Sequence, residues 1–294
     1  ILILFFYAYT RKTAGNADDV HAVSNAECLA TLPRTRLKKH GSSKNDRLLV
    51  IQKNISQGLV EGFRNLANRV EQDAGDGADA SHAKKIYAVT STVAGEGKTT
   101  VAINLAMVLA RRSKRVLLVD ADLREASATA VLKMDQERNT LETFLRGKTP
   151  WKDCLHQYRK LPLYVLPTQK VASGADVMRI LSVNHLKGIL SYACRDFDYV
   201  IVDTPPIGIL ADATAVLSVA DGGILTVKQD YAQLQDIAET SARITENGGR
   251  LFGFVMNQVE GPTGGYGYGY RYGYGYGYGQ GYRYNAGEYA DKSV

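Results

Sequence analysis

The stretch TSTVAGEGKTT, residues 90–100, joins the apolar run KIYAVTS (85–91) to the helical sequence KTTVAINLAMVLARRS (98–113). A glycine-containing loop that ends in Gly-Lys-Thr where a strand hands over to a helix is a phosphate cradle. Glycines let the backbone approach an anion, and the unpaired N–H groups and dipole of the helix start face it. The cradle predicts Gly95, Glu96, Gly97, Lys98, Thr99 and Thr100 as nucleotide contacts, with Lys98 reaching the β- and γ-phosphates and the Thr99 hydroxyl ligating Mg²⁺. Thr92 stands where the eight-residue pattern has its first glycine. The cofactors implied are ATP and Mg²⁺.

Working outward, RVLLVDAD (115–122), LPLYVLP (161–167), YVIVDTPP (199–206), GGILTVK (222–228) and LFGFVMNQ (251–258) read as further strands, and YAQLQDIAETSARITEN (231–247) as a helix between two of them. Continuous Val/Ile/Leu runs alternating with amphipathic helices predict a P-loop NTPase-like α/β fold, its mostly parallel sheet covered by helices on both faces. Residues 55–72, with Leu59, Phe63, Leu66 and Val70 at three- and four-residue spacing, predict an amphipathic helix ahead of the first strand. DAGDGADASHA (73–83) predicts a flexible break after it.

Two other strand ends are acidic. VLLVDADLR (116–124) places Asp120 and Asp122 where the second strand leaves the sheet, and YVIVDTPP does the same for Asp203. Ligands of open α/β sheets collect at the carboxyl ends of strands. Three carboxylates there are equipped to hold a Mg²⁺-nucleotide, with Thr99, Asp120 and Asp203 as metal ligands, and to take a proton from an attacking hydroxyl. Lys98, Asp120, Asp122 and Asp203 are the candidate catalytic residues.

The chain has 294 residues, 45% of them hydrophobic, enough for one substantial core or two small ones, and a net charge of +6. Cys28, Cys154 and Cys194 are odd in number and far apart without a CxxC pair, which argues against a disulfide framework or a zinc site. ILILFFYAY (1–9) is too short to cross a bilayer; followed by Arg11 and Lys12, it reads as the cytoplasmic end of a transmembrane helix over 1–10. Residues 11–50 read as a juxtamembrane linker whose basic stretch RTRLKKHGSSKNDR (34–47) suits an anionic membrane surface, and 51–260 as the catalytic domain. Basic residues cluster in that linker rather than along a recognition helix, so no nucleic-acid partner is expected. At the other end, YGYGYRYGYGYGYGQGYRY (266–284) puts glycine at nearly every second position, and residues 261–294 are expected to be a disordered tyrosine-rich tail.

The set AGEGKTT (94–100), LLVDADLR (117–124) and VIVDTPP (200–206) resembles the Walker A, Walker A′ and Walker B motifs of the bacterial tyrosine kinases, the autokinases of capsular and exopolysaccharide assembly; a terminal tyrosine cluster is that family's other hallmark. The resemblance implies that Lys98 stabilises the transferring phosphoryl, that Asp122 activates the acceptor hydroxyl, and that Asp120 and Asp203 serve the metal. Arg124 would sit near the phosphates or at a subunit contact, and Asn257 near the adenine. The acceptors would be Tyr266, Tyr268, Tyr270, Tyr272, Tyr274, Tyr276, Tyr278, Tyr282, Tyr284 and Tyr289, modified in trans. An unstructured glycine-rich segment of some 30 residues reaches about 30 Å, enough to visit a neighbouring subunit.

The family's oligomerisation helix reads Glu-x-x-Arg-x-x-Arg; here Glu61 and Arg64 match, Ala67 takes the third position, and Arg69 follows two residues on. LPTQKVASGADVM (166–178) also departs from the family pattern. Partners implied are a second copy of the chain in a homo-oligomer such as a ring, the inner-membrane polysaccharide co-polymerase and export machinery, and a protein-tyrosine phosphatase, at the cytoplasmic face of the bacterial inner membrane. Two rivals remain. A ParA/MinD-type ATPase switch carries a second lysine early in the loop, where this chain has Val93. A nucleotide-binding scaffold without kinase turnover is the other.

Overall fold

A computed structural model describes residues 12–35, 49–51, 55–75, 85–171, 174–208 and 212–260. The apolar run 1–10, most of the basic stretch and the tyrosine-rich segment 261–294 lie outside the described residues. In chain order the elements are α1 (Ala17–Ser24), β1 (Cys28–Pro33), α2 (Gln57–Gly75), β2 (Ile86–Ser91), α3 (Lys98–Arg111), β3 (Val116–Asp120), α4 (Ser127–Val131), α5 (Leu141–Leu145), β4 (His156–Gln157), β5 (Leu163–Leu166), α6 (Gly174–Ile180), α7 (Val183–Asp196), β6 (Tyr199–Asp203), α8 (Asp212–Leu217), β7 (Gly222–Lys228), α9 (Leu234–Glu246) and β8 (Leu251–Val259). The strands form one sheet in the order β1-β8-β7-β2-β6-β3-β5-β4, parallel throughout except for the short β4 at one edge.

Alternation along each strand sends side chains into two cores. Tyr87, Val89, Leu118, Ile201, Ile224 and Val255 face α2 and α3; Ala88, Leu117, Val119, Val200 and Val202 face α7 and α8. A smaller cluster seats α1 and α9 on the same side as α7, through Val20, Leu225, Phe254, Met256 and Ile237. The six strands expected from the apolar runs are all present, and the sheet is covered on both faces as expected.

Residues 12–33, assigned by composition to a linker, instead fold onto this sheet. An Asn16–Asp19 capping box starts α1, and β1 pairs in parallel with β8, matching Cys28 to Phe254 and Thr31 to Met256. The strand is short, carries Pro33 and lies at an edge, where proline is tolerated and a clear apolar period is not required. Among the described residues no helix is long and apolar enough to cross a membrane.

The helix expected over 55–72 runs from Gln57 to Gly75. Its buried stripe is Leu59, Phe63, Leu66, Ala67 and Val70, so the position held by Ala67 faces the core rather than the surface. Glu61 and Arg64 lie outside that stripe and pair with each other at 2.6 Å. Near the helix end, Asp73 accepts hydrogen bonds from the Tyr87 hydroxyl (2.8 Å) and, in a fork, from Arg250 Nη1 (2.9 Å) and Nη2 (2.6 Å). These bonds tie α2 to β2 and to the start of β8. Burial and the adjacent carboxylate push the Tyr87 hydroxyl well above the usual phenol range.

Asp73→Ala is expected to cost about 2 kcal/mol, because a buried hydroxyl and a guanidinium lose their acceptor; the exposure of Arg250 and the nearby Val70 carbonyl hold the loss to that size. A melting temperature lower by roughly 4–8 °C is the measure of it, and an unchanged midpoint would contradict the assignment.

Candidate functional site

The parallel sheet brings the three motif strands side by side, with β6 between β2 and β3; Asp203 pairs in register with Val89 on one side and Asp120 on the other. The strand ends are knitted together by Ala121 N–H donating to the Asp203 carbonyl (2.8 Å), Thr204 N–H to Val89 (3.1 Å) and Ile207 N–H to Ser91 (3.0 Å). The loop from β2 turns into α3 through two left-handed glycines, Gly95 (φ +90) and Gly97 (φ +98). Side chains rarely adopt that backbone, and a Cβ on Gly97 would also fall on the Asn257 amide nitrogen.

At the centre is Lys98. Its Nζ donates to Asp122 Oδ2 at 2.7 Å, lies 3.9 Å from Asp203 Oδ1 and reaches Thr99 Oγ1 at 3.4 Å. Burial works against the charge on Lys98, but the carboxylates of Asp203, Asp122 and Asp120 outweigh it and hold the ammonium above the usual lysine range. Asp120 is fully buried; burial first, then the neighbouring Asp203 carboxylate, pushes its pKa up. Its Oδ2 accepts from Thr129 N–H (2.8 Å) and Oγ1 (2.7 Å), which ties the segment after β3 back to the strand end. Asp122 Oδ1 accepts from Glu125 N–H at 3.2 Å.

Glu96 is expected to contact nucleotide through its backbone N–H, and its side chain turns inward to a separate task. Oε2 accepts from Val93 N–H (2.8 Å) and Oε1 from Lys228 N–H (3.3 Å), bracing the loop against the end of β7. Burial pushes its pKa up to about 7. A carboxyl held above its unfolded value contributes stability that is complete at low pH and fades as pH rises through the folded value. The ligand-free protein is therefore expected to lose thermal stability between about pH 5 and pH 8, and Glu96→Gln to flatten that slope. Parallel pH profiles of the two proteins would contradict the assignment to Glu96.

The remaining expected residues are placed as follows. Thr99 and Thr100 open α3. Asn257, at the end of β8, donates to the Glu96 carbonyl at 2.7 Å, so it supports the loop from behind. The Arg124 guanidinium lies against Gly174 at the start of α6. Glu61 and Arg64 sit on the exposed side of α2. The ten tail tyrosines lie outside the described residues. Two residues at the site carried no motif: Thr129, which holds Asp120, and Tyr231, whose hydroxyl donates to the Ala94 carbonyl at 3.2 Å while Lys228 Nζ stacks 4.1 Å over its ring. Their only sequence signal is that each closely follows a parallel strand, whose carboxyl end must lie at this edge.

Three features fit a magnesium nucleotide. The left-handed glycines shape a backbone cradle at a helix start, Lys98 supplies a buried cation, and Thr99, Asp120 and Asp203 are hard oxygen donors. No cluster of three or more His, Cys, Asp or Glu able to hold a metal occurs among the described residues.

A family model described as an AAA domain matches residues 84–248. Tyrosine-protein kinase CpsD of Streptococcus pneumoniae serotype 4 is 31% identical over 183 residues, 62% of this chain and 80% of that protein. In fold, the chain resembles the kinase domain of the Escherichia coli tyrosine kinase ETK, with a TM-score of 0.71 and 23% identity over 87% of this chain and 99% of the other. The cell-division ATPase MinD of Pyrococcus furiosus gives a TM-score of 0.51 and 28% identity over 59% of this chain and 71% of its own.

Proposed function

From its membership of the AAA-domain family and, within it, of the bacterial tyrosine-protein kinases, we propose that this chain moves the γ-phosphoryl group of ATP onto tyrosines of its own C-terminal segment, presented by a neighbouring copy. The observation that carries the reading is the buried Lys98–Asp122 pair at 2.7 Å, set beneath the glycine cradle with Asp203 and Asp120 beside it. The rival ATPase switch has less support, since Val93 occupies the place of its second lysine and ten tyrosines between 266 and 289 have no part in it.

The backbone N–H groups of 95–99 and Lys98 would hold the triphosphate, and Thr99, Asp120 and Asp203 its Mg²⁺. Bound there, the metal nucleotide supplies the transferable group and spreads its charge. The protein's own share is to position and to move a proton. Lys98 presents a fixed positive charge at the floor of the cradle, and burial of the site excludes water that would compete with the acceptor. Asp122 holds Lys98 in the free protein; once relieved of it, its Oδ2 is the group to take the tyrosine proton. Thr129 keeps Asp120 turned toward the strand end.

Incubation with Mg²⁺-ATP followed by intact mass and tail mapping tests this reading: steps of about 80 Da confined to Tyr266–Tyr289 are expected. Steady phosphate release without any mass step would replace the kinase with an ATPase.

By analogy with the capsule-associated kinases, we place this activity in polysaccharide assembly at the membrane's inner face, with α2 and its exposed Glu61 and Arg64 in self-association. Each phosphotyrosine adds about −1.5 to −2 charge, so several would reverse the net +6 of the chain and drive copies apart. Phosphorylated protein is expected to sediment as a smaller species than phosphatase-treated protein; equal sizes would contradict this.

A further inference from the structure

A pocket of about 210 Å³ opens beside the cradle, away from the four candidate catalytic side chains. Thr92 from the start of the loop, Gly208 from the segment after β6, and Asp236, Glu239, Thr240 and Arg243 from α9 line it. Thr92 and Thr240 are each 1% exposed, and their hydroxyls meet no hydrogen-bond partner among the described residues. A buried hydroxyl left unpaired is destabilising, so two in one wall mark a surface that an occupant completes. Each threonine hydroxyl can donate or accept, and a hydroxyl placed in the pocket, which does both, is able to serve the two.

The rim adds a sign. Asp236 and Glu239 outnumber Arg243, whose Nη1 is engaged at 3.5 Å by the Gly208 carbonyl. The pocket therefore favours a hydroxyl-bearing group with a cation next to it. Its volume suits a single aromatic ring. At Gly208 a Cβ would strike the Thr92 carbonyl, so the loop entrance and the segment after Asp203 are in backbone contact, and an occupant touches both.

The sequence holds such a group in residues 261–287, which contain Arg271 and Arg283, each between two tyrosines, and no acidic residue. We propose that the pocket is a docking site for a Tyr–Arg unit, Tyr270–Arg271 or Tyr282–Arg283, from the C-terminal segment of a second copy of the chain. The phenol hydroxyl completes Thr92 and Thr240, and the arginine pairs with Asp236 and Glu239. Docking one tyrosine leaves its neighbours in the glycine thread free to reach Lys98 and Asp122, and it raises their local concentration there. Phosphorylation sets a dianion against Asp236 and Glu239, so the pocket holds the unmodified segment and releases the modified one. The benefit of such a site rests on the kinase reading; the binding itself does not.

The test is fluorescence anisotropy of a labelled peptide of residues 279–286 (GQGYRYNA), without nucleotide, against the full-length chain whose ten tail tyrosines are changed to serine to remove the internal competitor. Saturable binding is expected. Glu239→Lys should weaken it roughly fivefold through charge reversal, and Thr240→Val roughly threefold through loss of the hydroxyl partner. Phosphorylation of Tyr282 should weaken it about tenfold. Thr240→Val is isosteric and removes an unpaired hydroxyl, so its thermal midpoint should not fall. No saturation up to millimolar peptide, binding indifferent to both pocket variants, or a phosphopeptide bound as tightly as the unmodified one would each overturn the proposal. A chain that binds the peptide but transfers no phosphoryl group would refute the kinase reading and leave the docking site standing.

Discussion

Lys98→Met is expected to lower tyrosine phosphorylation by about 10³-fold or more, equivalent to roughly 4 kcal/mol of transition-state stabilisation. The lysine is the cation at the floor of the cradle, 2.7 Å from Asp122 and 3.9 Å from Asp203, and the adjacent carboxylates keep it charged at every working pH. Methionine keeps most of the stem and removes the charge. Phosphoryl transfer depends almost wholly on positioning and on charge placed around the transferring group, so the loss should fall on kcat as well as on nucleotide affinity. The variant also removes the Lys98 charge from beside Asp120, whose pKa is already pushed up; Asp120 is expected to bind a proton, which keeps the fold intact at neutral pH. Single-turnover phosphorylation at saturating ATP is the measurement. A variant within tenfold of the parent would mean that another cation does this work.

Asp122→Asn carries the second large effect, a fall in kcat of about 10²–10⁴ with little change in the KM for ATP, since its role is to accept a proton rather than to hold phosphates. Asparagine preserves the shape and a hydrogen bond to Glu125 N–H but not the basicity. Because Asp122 also restrains Lys98, a fall in rate alone does not separate a base from a positioning residue. A peptide acceptor carrying a fluorinated, more acidic tyrosine makes the separation. It needs less help to lose its proton and should recover much of the variant's rate while changing the parent little. Equal effects of the fluorinated acceptor on both proteins would assign Asp122 to positioning alone.

The nucleotide edge of this protein was legible because its chemistry is local. Gly95, Gly97, Lys98 and Thr99 are consecutive or nearly so, and Asp120, Asp122 and Asp203 each end an apolar run, so pattern and topology place them together. Residues 12–33 were not legible in that way: β1 is held by pairing with β8, more than 220 positions away, and six residues with a proline show no period of their own. Glu96 lies inside the motif, yet its side chain serves the fold, because half-buried backbone donors at Val93 and Lys228 needed an acceptor. Ala67 shows the converse. Compared with the family motif it is a missing arginine, whereas in the helix it lies on the buried stripe between Phe63 and Val70, where an arginine would have no room. Tyr231 and Thr129 enter the site through tertiary contact and had no spacing to announce them.

The most direct test mixes two full-length chains with Mg²⁺-ATP: a donor whose ten tail tyrosines are changed to phenylalanine, and an acceptor carrying Lys98→Met with its tail intact. Transfer between copies predicts phosphate on Tyr266–Tyr289 of the acceptor alone, at a rate that rises with donor concentration. An acceptor that stays unmodified while the parent chain labels itself at a rate independent of concentration would contradict transfer between copies and place the reaction within one chain.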